Sequence, residues 1–337
     1  MSMSPRSVFA SAPSTSPASA PSAAAPSPSA SAPSPSPDSG CTPSPSLPPV
    51  LSLAHLTVLD AHPLQLIDAA VAGGFDAVGL RIVPPTAADA IVPVIEDRPL
   101  RRELKAKLTE SGVQLLDIEA IWLDPQTRVG ELEAALETGR ELGARHVLVV
   151  GNDPDPARVT DRFAKLAELA MPYGLKLGLE FISYCHTSTL AQACAVVRAA
   201  AQPNAGVLVD VLHLVRSGGT AADLAGCDIG LLSYCQLCDA RGPRPASTEQ
   251  LRREGQSGRF YPGEGELPLT GILAAMPAGL PISLESPCAE DARLSVVERA
   301  RRCGAASRAF LEAYRHSVDE AAQGHAQTSA SPGPVSR

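Results

Sequence analysis

From Val50 onward the chain alternates short apolar runs with amphipathic stretches of roughly 12 to 18 residues, the pattern that repeated strand and helix units leave in a sequence. The apolar runs predict strands at 50–57, 76–82, 113–121, 145–151, 175–182, 205–211, 229–237 and 280–286. Between them, apolar positions at helical spacing predict helices near 63–73, 98–111, 129–143, 156–171, 189–201, 219–225 and 267–276, with a longer last one near 290–315. Eight strand and helix pairs in about 265 residues fit a closed (β/α)8 barrel of the α/β class, a TIM barrel, better than an open doubly wound sheet.

Period-two counting then aims particular side chains. In LKLGLE the odd positions Leu175, Leu177 and Leu179 face the helices, while Lys176, Gly178 and Glu180 point inward. The same count turns Val207, Val209, Ile282 and Leu284 outward and Asp210 and Glu285 inward. Four apolar runs thus end on an oxygen-bearing side chain: Glu180, Asp210, Gln236 and Glu285. The carboxyl ends of a parallel barrel share one rim, so these four groups are expected to converge.

The flanks and the composition bound the rest. Residues 1–48 are almost entirely Ser, Pro and Ala and cannot bury enough apolar area to offset chain entropy, so a disordered tail is expected there and another at 317–337, leaving one barrel at 49–316. Val8-Phe9-Ala10 is broken at once by Ser and Pro, unlike the apolar segment of a secretory signal. No run approaches the roughly 18 apolar residues of a membrane span. A net charge of −8 without a basic run disfavours nucleic acid as a partner. Eight scattered cysteines suit reduced thiols in a cytoplasmic protein, and Cys235-x-x-Cys238 has no second such pair to complete a zinc site. The connection from Asp239 to Leu267, about 30 residues with Arg259, Phe260 and Tyr261 in it, is long enough to expect a lid packed over the mouth.

Three carboxylates and one amide make an all-oxygen set suited to a divalent metal, Mn2+ or Mg2+, with positions left for substrate or water. A metal so held polarises a carbonyl or hydroxyl oxygen and stabilises the enolate formed when a neighbouring proton leaves. Glu180 and Glu285, on opposite flanks, are the candidate catalytic acid and base, with His213, three residues after Asp210, a third catalytic candidate. Arg81, Glu119, Trp122 and His186 stand on neighbouring rim loops, where they would bind hydroxyls or a carboxylate.

The segments LGLEF, VDVLHL, YCQLCDA, GRFYPGEGELP and SLE, in that order, resemble the xylose isomerase-like barrel superfamily of sugar epimerases, inosose and dehydroshikimate dehydratases and endonuclease IV-type enzymes. The resemblance covers roughly residues 50–316. It implies divalent-metal binding by Glu180, Asp210, Gln236 and Glu285, glutamates flanking the substrate, and a substrate-proximal His213. Gln236, where epimerases usually carry His, and the Arg259 with P-G-x-G pattern resemble the dehydroshikimate dehydratases, while the extra histidines of endonuclease IV-type enzymes are absent. The resemblance therefore implies an isomerase or epimerase of carbohydrate metabolism acting on a small polyhydroxylated substrate, with a dehydratase (lyase) of a cyclic hydroxy-ketone as the alternative. A non-catalytic sugar-binding or scaffold barrel is the reading from a different class. Arg259 joins the substrate-binding candidates, and a homo-oligomer is left open.

Overall fold

Each apolar run becomes a strand and most amphipathic runs a helix in the computed structural model, which describes residues 49–86 and 89–329. The strands are β1 (Leu51–Leu53), β2 (Ala77–Arg81), β3 (Gln114–Leu123), β4 (His146–Gly151), β5 (Lys176–Glu180), β6 (Ala205–Asp210), β7 (Leu232–Leu237) and β8 (Ile282–Leu284). All pair in parallel with their sequence neighbours, and β1 closes the barrel on β8 with Ser52 opposite Ser283. The helices are α1 (Pro63–Gly73), α2 (Arg98–Ser111), α3 (Glu133–Leu142), α4 (Pro156–Ala170), α5 (Leu190–Ala200), α6 (Val211–Arg216), α7 (Ala221–Ala225), α8 (Thr248–Ser257), α9 (Leu269–Ala274) and α10 (Val296–Ser329).

Local chemistry sets these ends. α1 opens on a capping box between His62 and Gln65 with Pro63 in its first turn, and it stops at Gly74, whose φ of 69° lets its N–H turn back to the Ala70 and Val71 carbonyls. The strands sort their side chains as the parity requires. Leu177, Leu179, Val207, Val209 and Leu284 pack in the layer between sheet and helices, while Leu116, Leu148, Val150, Leu208 and Tyr234 fill the barrel. Gly178 stands at an inward position where a Cβ would sit 2.9 Å from the Tyr234 ring, so glycine is the residue that fits there. Lys176 departs from the expected inward set: at the start of β5 it is exposed to solvent.

Three expectations need correction. The first predicted strand is only three residues long, and His55–Val58 turns into a 3-10 helix that bends the chain across the rim. The long connection is not a lid. It contains α8, opened by a capping box between Ser247 and Gln250, and the residues after it dive inward, leaving Arg259 and Tyr261 each 1 % exposed. Buried hydrogen bonds pull this segment in: Asp239 accepts from the Gly263 and Leu267 N–H groups, and the Tyr261 hydroxyl donates to Asp291. Finally, α10 continues to Ser329 through the span expected to be a tail. Its Ala, Glu and Gln favour helix, and no proline interrupts before Pro332. The Ser/Pro/Ala stretch at 1–48 lies outside the described residues. No helix among the described residues is long and apolar enough to cross a membrane.

Candidate active site

Glu180 ends β5, Asp210 ends β6, Gln236 lies one residue before the end of β7, and Glu285 directly follows β8. Strand register sets Asp210 beside Gln236, and all four residues are at least 96 % buried at the carboxyl-terminal rim. Asp210 is also the N-cap of α6: its Oδ1 accepts from the Leu212 N–H at 2.7 Å and the His213 N–H at 3.2 Å. That cap fixes His213, whose Nε2 stands 3.9 Å from Glu180 Oε1 while Nδ1 meets the Ser183 hydroxyl at 3.3 Å. One donor atom each from Glu180, Asp210 and His213 fall within 4.8 Å of one another. The sequence reading placed His213 against substrate; the structure places it among the donors a cation could share.

Gln236 donates its amide N–H to Glu285 Oε1 at 2.9 Å, which leaves its Oε1 buried without a partner. An unsatisfied amide oxygen in a cage of carboxylates and an imidazole fits a divalent cation, because a cation needs such acceptors and they need neutralising charge.

Arg259 is the group that sequence reasoning assigned differently. It was expected to bind substrate, yet its Nη1 lies 2.6 Å from Asp210 Oδ2 and its Nη2 2.9 Å from Glu285 Oε2. Nη1 also donates to the Glu285 carbonyl at 3.1 Å, and Nε donates to the Gly255 carbonyl at the end of α8 at 2.8 Å. The guanidinium is therefore locked between two of the proposed metal-holding carboxylates. The signal for it lay in the P-G-x-G context alone, since its partners are 49 and 26 residues away in sequence.

The electrostatics follow from crowding. Burial, and then the neighbouring Glu285 and Asp210 carboxylates, push Glu180 well above the usual carboxylate range. Burial also raises Glu285 to about 8 against the opposing pull of Arg259. For Asp210, burial is the largest single effect and acts upward, but the Arg259 charge, the neighbouring His213 and the hydrogen bonds from both together hold the group below its ordinary value. Burial depresses His213 to about 4, so at neutral pH its imidazole is uncharged and able to ligate or exchange a proton.

Arg81 and Glu119 do meet at the rim, 3.6 Å apart, and His55 braces both, donating its N–H to Glu119 and accepting the Arg81 N–H on Nδ1. His186 is exposed on the loop after β5, and the structure does not bring it into the cluster. Sequence reasoning missed Asp117, below Glu119 on β3. It is fully buried, bonded on one oxygen by the Tyr234 hydroxyl at 2.9 Å and unpartnered on the other. Gly79 makes room for both acids, since a Cβ there would stand 2.4 Å from Glu119 and 2.8 Å from Asp117.

Residues 67–313 match the family model of the xylose isomerase-like TIM barrel, well over half of the chain. The chain is 30 % identical to a 3-dehydroshikimate dehydratase of Pseudomonas aeruginosa over 162 residues, covering 45 % of this chain and 25 % of that protein. To an inosose isomerase of Halalkalibacterium halodurans it is 24 % identical over 221 residues, 60 % of this chain and 74 % of the relative. The chain thus spans only about a quarter of the dehydratase it matches. Among solved structures, a zinc-bound IolI protein superposes with a TM-score of 0.65 at 20 % identity, over 78 % of this chain and 98 % of its own. A probable 3-dehydroshikimate dehydratase of Bacillus anthracis superposes at 0.60 with 13 % identity, over 75 % of this chain and 97 % of its own. These superpositions establish the shared fold.

Proposed function

The chain belongs to the xylose isomerase-like TIM barrel family, and on that premise we propose that it isomerises or epimerises a small polyhydroxylated ketone by moving a proton on the carbon next to the carbonyl. The observation that carries this reading is the pair of buried carboxylates Glu180 and Glu285, both raised above their ordinary range within one rim cage. A carboxylate destabilised by burial is a stronger base once ionised, and a raised value brings donor and acceptor forms together near neutral pH. One glutamate accepts the proton, the C–H electron pair forms the carbon–carbon double bond of the enolate, and the carbonyl oxygen takes the charge. The other glutamate returns a proton to give the isomer or epimer. Arg81 and Glu119 offer a donor and an acceptor for substrate hydroxyls, and the neutral His213 offers a relay between substrate and Glu180.

A divalent ion held by Glu180, Asp210, Gln236 and Glu285, with His213 at hand, would polarise the substrate oxygens. The oxygen donors favour Mn2+ or Mg2+, and the imidazole brings zinc within range. Seven free thiols among the described residues suit a reducing compartment such as the cytoplasm.

Two observations support a second reading as a dehydratase: the 30 % identity to the dehydroshikimate enzyme, and an amide at Gln236. Proton removal is shared, but a β-hydroxyl then leaves and an enone forms. The test is incubation of pure protein with Mn2+ in heavy water and panels of ketoses, inososes and 3-dehydroshikimate, followed by proton NMR and ultraviolet absorbance. Deuterium beside the carbonyl together with an isomer signal supports isomerisation. Rising absorbance without an isomer replaces it with dehydration. Neither signal with any substrate, together with no bound divalent ion, returns the barrel to a binding or scaffold role.

A further inference from the structure

On the helical layer, away from the proposed catalytic cage, Cys194 of α5 and Cys227 of the segment after α7 bring their sulfurs to 3.4 Å. Among the described residues it is the one thiol pair in contact. A disulfide needs a sulfur separation of about 2.0 Å, so closing this pair takes about 1.4 Å of side-chain rotation. The two thiols also differ in access: Cys194 is 2 % exposed, whereas Cys227 is half-buried.

We propose that Cys194 and Cys227 form an oxidation site that takes a low-molecular-weight disulfide and becomes an internal disulfide linking α5 to the connection before β7. The more accessible Cys227 reacts first. Its sulfur attacks the small disulfide, forms a mixed disulfide and releases one small thiol, which carries away the Cys227 proton. The Cys194 sulfur then attacks Cys227, its proton leaving with the second small thiol. The protein dithiol loses two electrons and two protons, and the small disulfide gains both. The bond would tie two consecutive strand and helix units whose strands end in Glu180 and Asp210, closing a loop between residues 33 apart in sequence. By restricting the unfolded chain, such a link raises melting temperature.

The test is to equilibrate the full chain with glutathione buffers of increasing oxidised fraction, block free thiols with iodoacetamide, and map linkages by tandem mass spectrometry. In the wild type, a Cys194–Cys227 cross-link should appear before any other cysteine of residues 49–329 is modified, with a melting temperature higher by several degrees. In Cys194→Ala the resolving thiol is gone, so a stable glutathione adduct should collect on Cys227. In Cys227→Ser, Cys194 should stay unmodified under the same buffers. The proposal falls if the wild type carries the same unresolved adduct as Cys194→Ala, if another cysteine of residues 49–329 oxidises first, or if both thiols stay free in fully oxidised buffer.

Discussion

Replacing Arg259 by Met keeps most of the side chain's apolar volume and removes its charge from between Asp210 and Glu285. Both ion pairs are short, 2.6 and 2.9 Å, and all three residues are buried, so the variant leaves two neighbouring carboxyl groups without their counter-charge. Breaking a buried pair in this way costs about 3–5 kcal/mol. For a barrel of this size each kcal/mol moves the melting temperature by about 2 °C, so metal-free Arg259→Met should melt roughly 6–10 °C below wild type. The same substitution strips the competitor from two candidate metal-holding carboxylates. Saturating Mn2+ should therefore stabilise the variant more than the wild type, a ligand at 100 times its dissociation constant contributing about 2.7 kcal/mol. Calorimetry of chelator-treated protein with and without Mn2+ reads both effects, and a titration gives the two affinities. A variant that melts with wild type in the absence of metal, or gains no more from Mn2+ than wild type does, would refute the view that Arg259 holds these carboxylates.

Glu180→Gln and Glu285→Gln keep an oxygen in place but remove proton uptake, so each should lower turnover on the order of 100-fold or more at saturating Mn2+; near wild-type rates in both would shift the base role to His213. Gln236→His replaces the unpartnered amide oxygen by imidazole and should move metal preference towards Co2+ or Zn2+, checked by competition between ions. His146 is held near pKa 4, mainly by burial and then by Arg145 and Lys176, so the folded state binds its proton less readily than the unfolded chain does. Its contribution is whole above about pH 6.5 and is lost as pH falls towards 4, by up to about 3 kcal/mol; His146→Leu should therefore lose less stability than wild type over that window in urea titrations, and parallel curves would count against it.

The barrel was legible because its regularities are local. Strand ends show as apolar runs of alternating parity, α1 runs from Pro63 to its cap at Gly74, and α2 carries Pro99 in its first turn and stops at Gly112. α8 was missed although Ser247 and Gln250 form a capping box, because the surrounding Gly, Pro and Arg residues read as loop. The rim positions of Glu180, Asp210, Gln236 and Glu285 were legible for the same reason as the strands. What each side chain touches was not. Whether Arg259 meets substrate or carboxylates depends on where a distant segment re-enters the barrel, and the pairing of Asp117 with Tyr234 spans 117 residues.

Charge balance shows why that distinction matters. The barrel interior gathers Asp117, Glu119, Glu180, Asp210 and Glu285, and the guanidinium groups facing them are Arg81 and Arg259. Five buried acids against two bases leave a surplus that bound protons or a cation must offset, since unpaired charge is costly at this depth. Protons answer part of it, since burial first of all raises Asp117, Glu119, Glu180 and Glu285 above their ordinary values. The rest falls on oxygens that Arg259 already shares: Asp210 spends one on the α6 cap and the other on the guanidinium. A cation entering this cage must take oxygen electron density that now serves the fold. On the proposed metal-binding role of this cage, metal affinity and metal-free stability are set against each other at one residue, Arg259, and replacing it should strengthen the first while weakening the second.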